Sequence, residues 1–297
     1  MLANSIPVTM DAQTTPDLTP ANAHGKPPGL TVRDLRFTRS GGLARHWLSG
    51  DPVATAWFNA LSAGFPRGEA MFIEAVKACR EGAPPVLDTE IRAFIRQEVN
   101  HSREHLAFNR AAVDAGFDLS AIDARVAALV AMTHSRPPVV QLAITCALEH
   151  FTAMFAHEFL TNPGHFAETA PEQADLWRWH AIEEIEHKAV AYDTFLHATR
   201  EWSGFKRWWV RSLVMGDVTC RFLRNRFVDA LELLAQDGIT GWRARWRLFS
   251  YLAIKPGIVR RVLPEWLSWF GPRFHPWNKD DRRLIARHDS EFAGARG

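Results

Sequence analysis

Glu184 and His187 lie three residues apart in the stretch Trp179–Asp193, which reads WHAIEEIEHKAVAYD. On a helix, residues at i and i+3 share one face, so this spacing aims a carboxylate and an imidazole in the same direction. The spacing recurs at Glu98 and His101, within FIRQEVNHSREHLAFN. Two further acids stand singly on apolar stripes. Glu149 shares its face with Leu142, Thr145, Thr152, Ala153, Ala156 and Leu160, and Glu69 shares its face with Phe65, Phe72, Ile73 and Val76. Glu74 falls on the opposite side of its helix from that stripe, which makes Glu69 the inward acid.

A lone E-x-x-H is ordinarily a solvated ion pair. Four carboxylates on apolar stripes are another matter, because burying an ionised carboxylate without a cation costs several kcal/mol. In chain order the set is Glu69, Glu98/His101, Glu149 and Glu184/His187. One glutamate from each of two helices and an E-x-x-H from each of the other two is the ligand plan of a dinuclear carboxylate centre in a four-helix bundle. Two divalent metal ions are therefore expected, with iron ranked ahead of manganese and zinc; anionic oxygens bridge such ions and each imidazole caps one. His105 and His180 stand one turn from the two pairs, and Glu183 adjoins Glu184. His180, Glu183 and His105 are assigned catalytic support, as hydrogen-bond partners of the ligands or as proton carriers, with direct ligation of an extra metal as the alternative for the histidines. Glu186 points away from the ligand face and is left outside the site. His150, His157 and Glu158 are assigned to an interface or the surface, and His275 is noted as a loop histidine within reach of the site.

Positioning these residues requires long helices. Asp51-Pro52 starts the first, with GFPRG expected to kink or restart it before EGAPP ends it. Further helices are expected over 88–115, 121–133, 138–161 and 172–199, then 204–236 and 241–263, with an irregular tail. Strand alternation is absent, so the fold expected is all-α: a ferritin-like four-helix bundle over residues 29–200, with an additional C-terminal helical region over 201–297. Residues 1–28 are Pro/Thr/Ala-rich and are expected to be a disordered lead-in, not a signal peptide.

The 297 residues carry a net charge of +2, which gives no electrostatic case for nucleic acid. Three separated cysteines without CxxC spacing fit a reducing cytoplasm. No long uncharged apolar run occurs, so no transmembrane helix is expected. Twelve tryptophans accompany only two tyrosines, and most lie from Trp177 onward amid arginines. That region is expected to be a helical cover on the bundle with arginine stems over tryptophan rings; peripheral contact with the inner membrane is the alternative.

Four pieces of the chain, NALSAGFPRGE, RQEVNHSREH, WHAIEEIEHKAVAYD and FHPW, resemble a bacterial family described as predicted metal-dependent hydrolases, over about residues 33–290. The resemblance implies metal use and hydrolysis but no particular substrate. The ligand geometry itself resembles ferritin-like di-iron oxidases, desaturases and oxygenases, from which the additional His105 and His180 depart. The first expectation is an oxygen-activating di-iron, or mixed Mn/Fe, oxidoreductase acting on a small apolar substrate, with an electron-donor protein as partner and a homodimer as its assembly. In it Glu98 and Glu184 bridge, Glu69 and Glu149 bridge or cap, and His101 and His187 cap. The second is a hydrolase using a metal-activated water, with Glu183 or His180 carrying the proton. The third is a non-catalytic iron-handling protein or metal-stabilised scaffold.

Overall fold

The computed structural model describes residues 29–37 and 42–293, so the lead-in expected over 1–28 lies outside the described residues. Every regular element described is helical: α1 Pro52–Ala78, α2 Pro85–Asp114, α3 Ser120–His134, α4 Pro138–Thr161, α5 Pro171–His187, α6 Val190–Ala198, α7 Gly204–Gln236, α8 Gly241–Ala253, α9 Ile258–Ser268 and α10 Arg282–Ala293. The chain is an all-α helical bundle, as its periodicity predicts.

Asp51 caps α1, accepting a hydrogen bond from the Val53 amide at 2.8 Å, with Pro52 in the first turn. The kink or restart expected at GFPRG does not occur, and α1 runs through Pro66 unbroken. A proline inside a helix leaves the carbonyl four residues earlier without its N–H partner. That carbonyl belongs to Ser62, and Asn109 Nδ2 of α2 donates to it at 3.0 Å. A side chain from the neighbouring helix thus replaces the missing donor.

Helices α1 and α2 pack as one neighbouring pair and α4 and α5 as another, with α1 against α4 and α2 against α5. This closes a four-helix core around Phe58, Phe94, Ile91, Leu142, Leu176 and Ile182, all nearly or fully buried. Helix α3 is the crossover between the pairs and lies on α1 and α4. The single helix expected over 172–199 is two: α5 ends at His187, directly after the E-x-x-H motif, and α6 resumes at Val190. At the break, Lys188 turns to Asp281 (2.6 Å) and the Lys279 carbonyl (2.9 Å). Helix α4 is long and apolar enough by composition to cross a membrane, yet most of it is buried among α1, α5, α7 and α9.

Within 201–297, α7 packs along α1 and α4, α8 lies on α7 and α1, and α9 packs on α4 and α8. The expected helix 241–263 is interrupted at Pro256, and Gly257 takes a φ of +75° that favours glycine. The tail over 269–281 is irregular as expected, apart from a short 3-10 turn at Pro276–Asn278, and the chain then forms α10, which packs on α5 and α4. Cation–ring contacts occur here, Arg211 over Trp269 at 5.6 Å and Lys206 over Trp202 at 4.1 Å. Trp242 and Trp246, however, are 73% and 55% exposed rather than covered.

Candidate metal centre

The four core helices bring every predicted ligand to one place. Three overlapping groups form, each with ligand atoms within 4.8 Å of one another: Glu69, His101 and His180; Glu98, His101 and Glu184; and Glu98, Glu149 and His187. Glu184 faces both ends of this cluster. Its Oε1 is 2.8 Å from His180 Nε2 and 3.5 Å from His101 Nδ1, and its Oε2 is 3.4 Å from His187 Nε2. His187 Nε2 also lies 3.2 Å from Glu98 and 3.4 Å from Glu149.

Buried polar groups are nearly always hydrogen-bonded. Here the inward atoms are not: Glu69 Oε1, both oxygens of Glu98, both of Glu149, Glu184 Oε2, His101 Nδ1 and His187 Nε2 are buried without a hydrogen-bond partner. Oxygen and nitrogen donors that converge while unpartnered are what a pair of divalent cations would satisfy, so the residues fit such a group.

Each histidine is oriented from behind. His101 Nε2 meets Glu183 Oε2 at 3.0 Å, so its N–H is held there and Nδ1 turns inward. Glu183 in turn accepts from the Arg33 backbone amide at 2.9 Å, and Arg33 reaches Glu186 at 2.6 Å. His187 Nδ1 meets Gln97 Oε1 at 3.1 Å, which leaves Nε2 inward; Gln97 Nε2 donates to Glu186 and to the Thr31 carbonyl, both at 3.1 Å. The third histidine is set by a relay. Asn109 gives its N–H to the Ser62 carbonyl, so its Oδ1 accepts from the Ser62 hydroxyl at 2.7 Å. Ser62 Oγ must then accept from His105 Nδ1 (2.9 Å), and His105 Nε2 from His180 Nδ1 (2.6 Å). His180 Nε2 is left as a bare lone pair beside Glu184 Oε1, and two acceptors 2.8 Å apart need a cation or a proton between them.

Electrostatics agree with a site that holds protons until metal replaces them. Burial pushes Glu69 up to about 8 despite the nearby His101, and burial with repulsion between the carboxylates raises Glu98 and Glu149 well above the usual range. Burial alone would raise Glu184 too, but His187, His101 and His180 hold it well below. Burial opposes a charge on His101, yet its hydrogen bond to Glu183 and the nearby Glu184 carboxylate lift it to about 10, whereas burial and the charge of His101 bring His180 down to about 4.

Glu69, Glu98, His101, Glu149, Glu184 and His187 therefore share the cluster, and His180 joins it in the position held open as the alternative. Glu183 and His105 stand behind His101 and His180 of the cluster. Glu186 is outside the three groups but buried, tying Arg33 to Gln97. His150 and His157 contact the C-terminal segment at the Glu265 carbonyl and Asp281, while Glu158 meets His165 in the turn after α4; His150 and Glu158 are buried rather than at the surface. His275 does not reach the centre; its Nε2 is 2.9 Å from Asp193 on α6. Gln97, Arg33, Ser62, Ser102 and Asn109 were not foreseen. Pro66 was the available signal for Asn109, since it announces an orphaned Ser62 carbonyl. Ser102, which donates to Glu69 Oε2 at 2.7 Å, follows His101 directly. Arg33 gave no signal, because it comes from an extended segment far away in sequence.

No curated protein and no solved structure matches this chain. The family described as predicted metal-dependent hydrolase matches residues 31–280, and the chain belongs to that family.

Proposed function

We propose that the chain is a hydrolase with a dinuclear metal centre held by Glu69, Glu98, His101, Glu149, His180, Glu184 and His187. One observation carries this reading: the converging buried donor atoms that no protein group satisfies. Membership of a family described as predicted metal-dependent hydrolases supports hydrolysis as the reaction type. When bound, two divalent ions would polarise the scissile group and make a water nucleophilic near neutral pH. The protein's own part is positional. His101, His180 and His187 are fixed in the tautomers that turn a lone pair inward, by Glu183, His105 and Gln97 respectively. Glu184 is placed to serve both ions. Glu183, hydrogen-bonded to His101 and to the Arg33 amide, is the acid best placed to accept a proton leaving the site.

A second reading is an iron-dependent, oxygen-activating oxidoreductase on a small apolar substrate, served by an electron-donor protein. The observation favouring it is the ferritin-like plan of four glutamates with a repeated E-x-x-H. One experiment divides the two. Protein loaded anaerobically with zinc, manganese or iron is offered a panel of esters, amides and phosphoesters with oxygen excluded. Turnover without oxygen supports hydrolysis. Absence of turnover, together with oxygen-dependent absorption changes in the iron-loaded protein, would replace the first reading with the second.

A further inference from the structure

Two cavities abut against one side of the ligand cluster. The larger, about 160 Å³, lies between α1, α3, α4 and α7 and includes Glu69 in its wall. The smaller, about 40 Å³, includes His180 and Glu184. Leu61, Phe65, Thr152 and Phe222 line both, so the two are neighbours across one set of side chains. Apart from these ligands and the buried Thr133, Asn225 and Arg226, the last paired with Asp229, the walls are mostly apolar: Phe72, Val130, Ile144, Leu148 and Val218 in the larger, and Phe155, Phe159 and Trp177 in the smaller. The Thr152 hydroxyl is turned back to the Glu149 carbonyl at 2.9 Å, so it offers the cavity no free donor. Gly68 adds to the space, because a Cβ there would meet nothing closer than Phe72 at 4.0 Å. At its outer end the larger cavity reaches Asp217 and Arg221, an exposed ion pair at 2.8 Å.

We infer that this space holds a hydrocarbon chain of the substrate, entering beside Asp217 and Arg221 and presenting its reacting bond to the Glu69, His180 and Glu184 side of the centre. The substrate class is an acyl or alkyl derivative. A cavity of about 150 Å³ lined by aliphatic and aromatic residues accommodates a benzene, so the two cavities together take a chain of about eight carbons. The proposal rests on the metal centre being the reacting site, but its test does not.

Binding of n-alkanols from butanol to dodecanol to the metal-loaded protein is measured by calorimetry, with metal content determined on the same samples. Affinity is expected to rise about fourfold per added CH₂ up to about eight carbons and then level off. Gly68→Leu fills the larger cavity and is expected to move the optimum to chains about four carbons shorter. Binding without a length optimum, or an optimum that Gly68→Leu leaves in place, would overturn the proposal while leaving the metal site intact. Alkanol binding with the expected optimum in a protein that holds no metal would instead overturn the proposed function and keep the chain-binding cavity.

A different observation concerns the outer face of α7, α8 and α9. Phe205, Trp209, Trp242, Trp246, Leu263 and Leu267 are all close to or above half exposed. On each helix they sit opposite or beside the buried side, at helical spacing. Between these residues α8 exposes Arg243, Arg245 and Arg247 and carries no acid, and the single acid of α9, Glu265, is engaged by Lys279 at 2.6 Å. Aromatic residues interleaved with unopposed arginines complement an anionic lipid surface, and the geometry points to that occupant. Vesicle flotation tests it. The protein is expected to float with vesicles containing phosphatidylglycerol and to stay behind with phosphatidylcholine alone. Each Arg→Gln change at 243, 245 or 247 is expected to weaken binding about fivefold. The Trp242→Ser/Trp246→Ser double variant is expected to abolish flotation while remaining folded by circular dichroism. No flotation, or a wild-type dimer that the double variant converts to monomer without any lipid binding, would overturn the lipid assignment.

Discussion

Gln97→Leu perturbs the centre without touching a ligand. Gln97 is fully buried; its Oε1 accepts from His187 at 3.1 Å and its Nε2 donates to Glu186 and the Thr31 carbonyl. Leucine occupies a similar volume but removes all three hydrogen bonds. Losing the partner that orients a ligand histidine lowers metal affinity about 10- to 100-fold, or roughly 1.4–2.7 kcal/mol. Glu186 and the Thr31 carbonyl keep their hydrogen bonds from Arg33, so losing the two bonds from Gln97 costs only about 1 kcal/mol each of fold stability. The two effects separate by assay: chelator competition reads the first, and urea unfolding of the metal-free protein reads the second. Gln97→Glu restores an acceptor for His187 and should recover part of the affinity, although it places a second carboxylate beside Glu186. A folded Gln97→Leu protein whose metal affinity stays within about twofold of wild type would refute the claim that Gln97 sets the His187 ring.

Other predictions follow from the same contacts. Arg33→Leu strands the buried Glu183 and Glu186 and is expected to destabilise the fold by about 3–5 kcal/mol, read as a fall in the urea midpoint. Asn109→Ala should cost about 1–3 kcal/mol in wild type but less in a Pro66→Ala background, where residue 66 regains its own N–H for the Ser62 carbonyl; equal costs in both would remove the link. With Glu69 raised from 4.5 to about 8 and His101 from 6.5 to about 10, the metal-free native state binds more protons than the unfolded chain across that range. Its stability should therefore fall as pH rises from about 4.5 toward 10, and its metal affinity should rise, because binding displaces those protons. Unfolding and metal titrations at several pH values check both signs.

The ligand pattern was legible because it is periodic. Glu98/His101 and Glu184/His187 are local statements about one helix face, and Glu69 and Glu149 stand out against apolar stripes. Glu183 and His105 were legible as supporting partners from the same offsets, and they stand behind His101 and His180; what anchors them, and what orients His187, was not. Arg33 meets Glu183 across 150 residues, Gln97 meets His187 across 90, and Ser62 meets His105 across 43. No periodicity within a single helix encodes such pairings. The helix breaks were misplaced for a related reason. Pro66 is tolerated because Asn109 on another helix supplies a donor, and α5 stops at Lys188, where the chain engages Asp281. Local rules set the cost of each residue alone, and the partner that offsets it arrives only with the tertiary fold.

The central claim is that these four helices exist to hold two metal ions. Elemental analysis of wild type and Glu184→Ala, each folded and loaded under identical conditions, tests it most directly. Glu184 is the carboxylate that faces both ends of the cluster. The account predicts two ions per chain in wild type and loss of both in Glu184→Ala. A wild-type protein that takes up no metal, or a Glu184→Ala variant that keeps both ions, would contradict it.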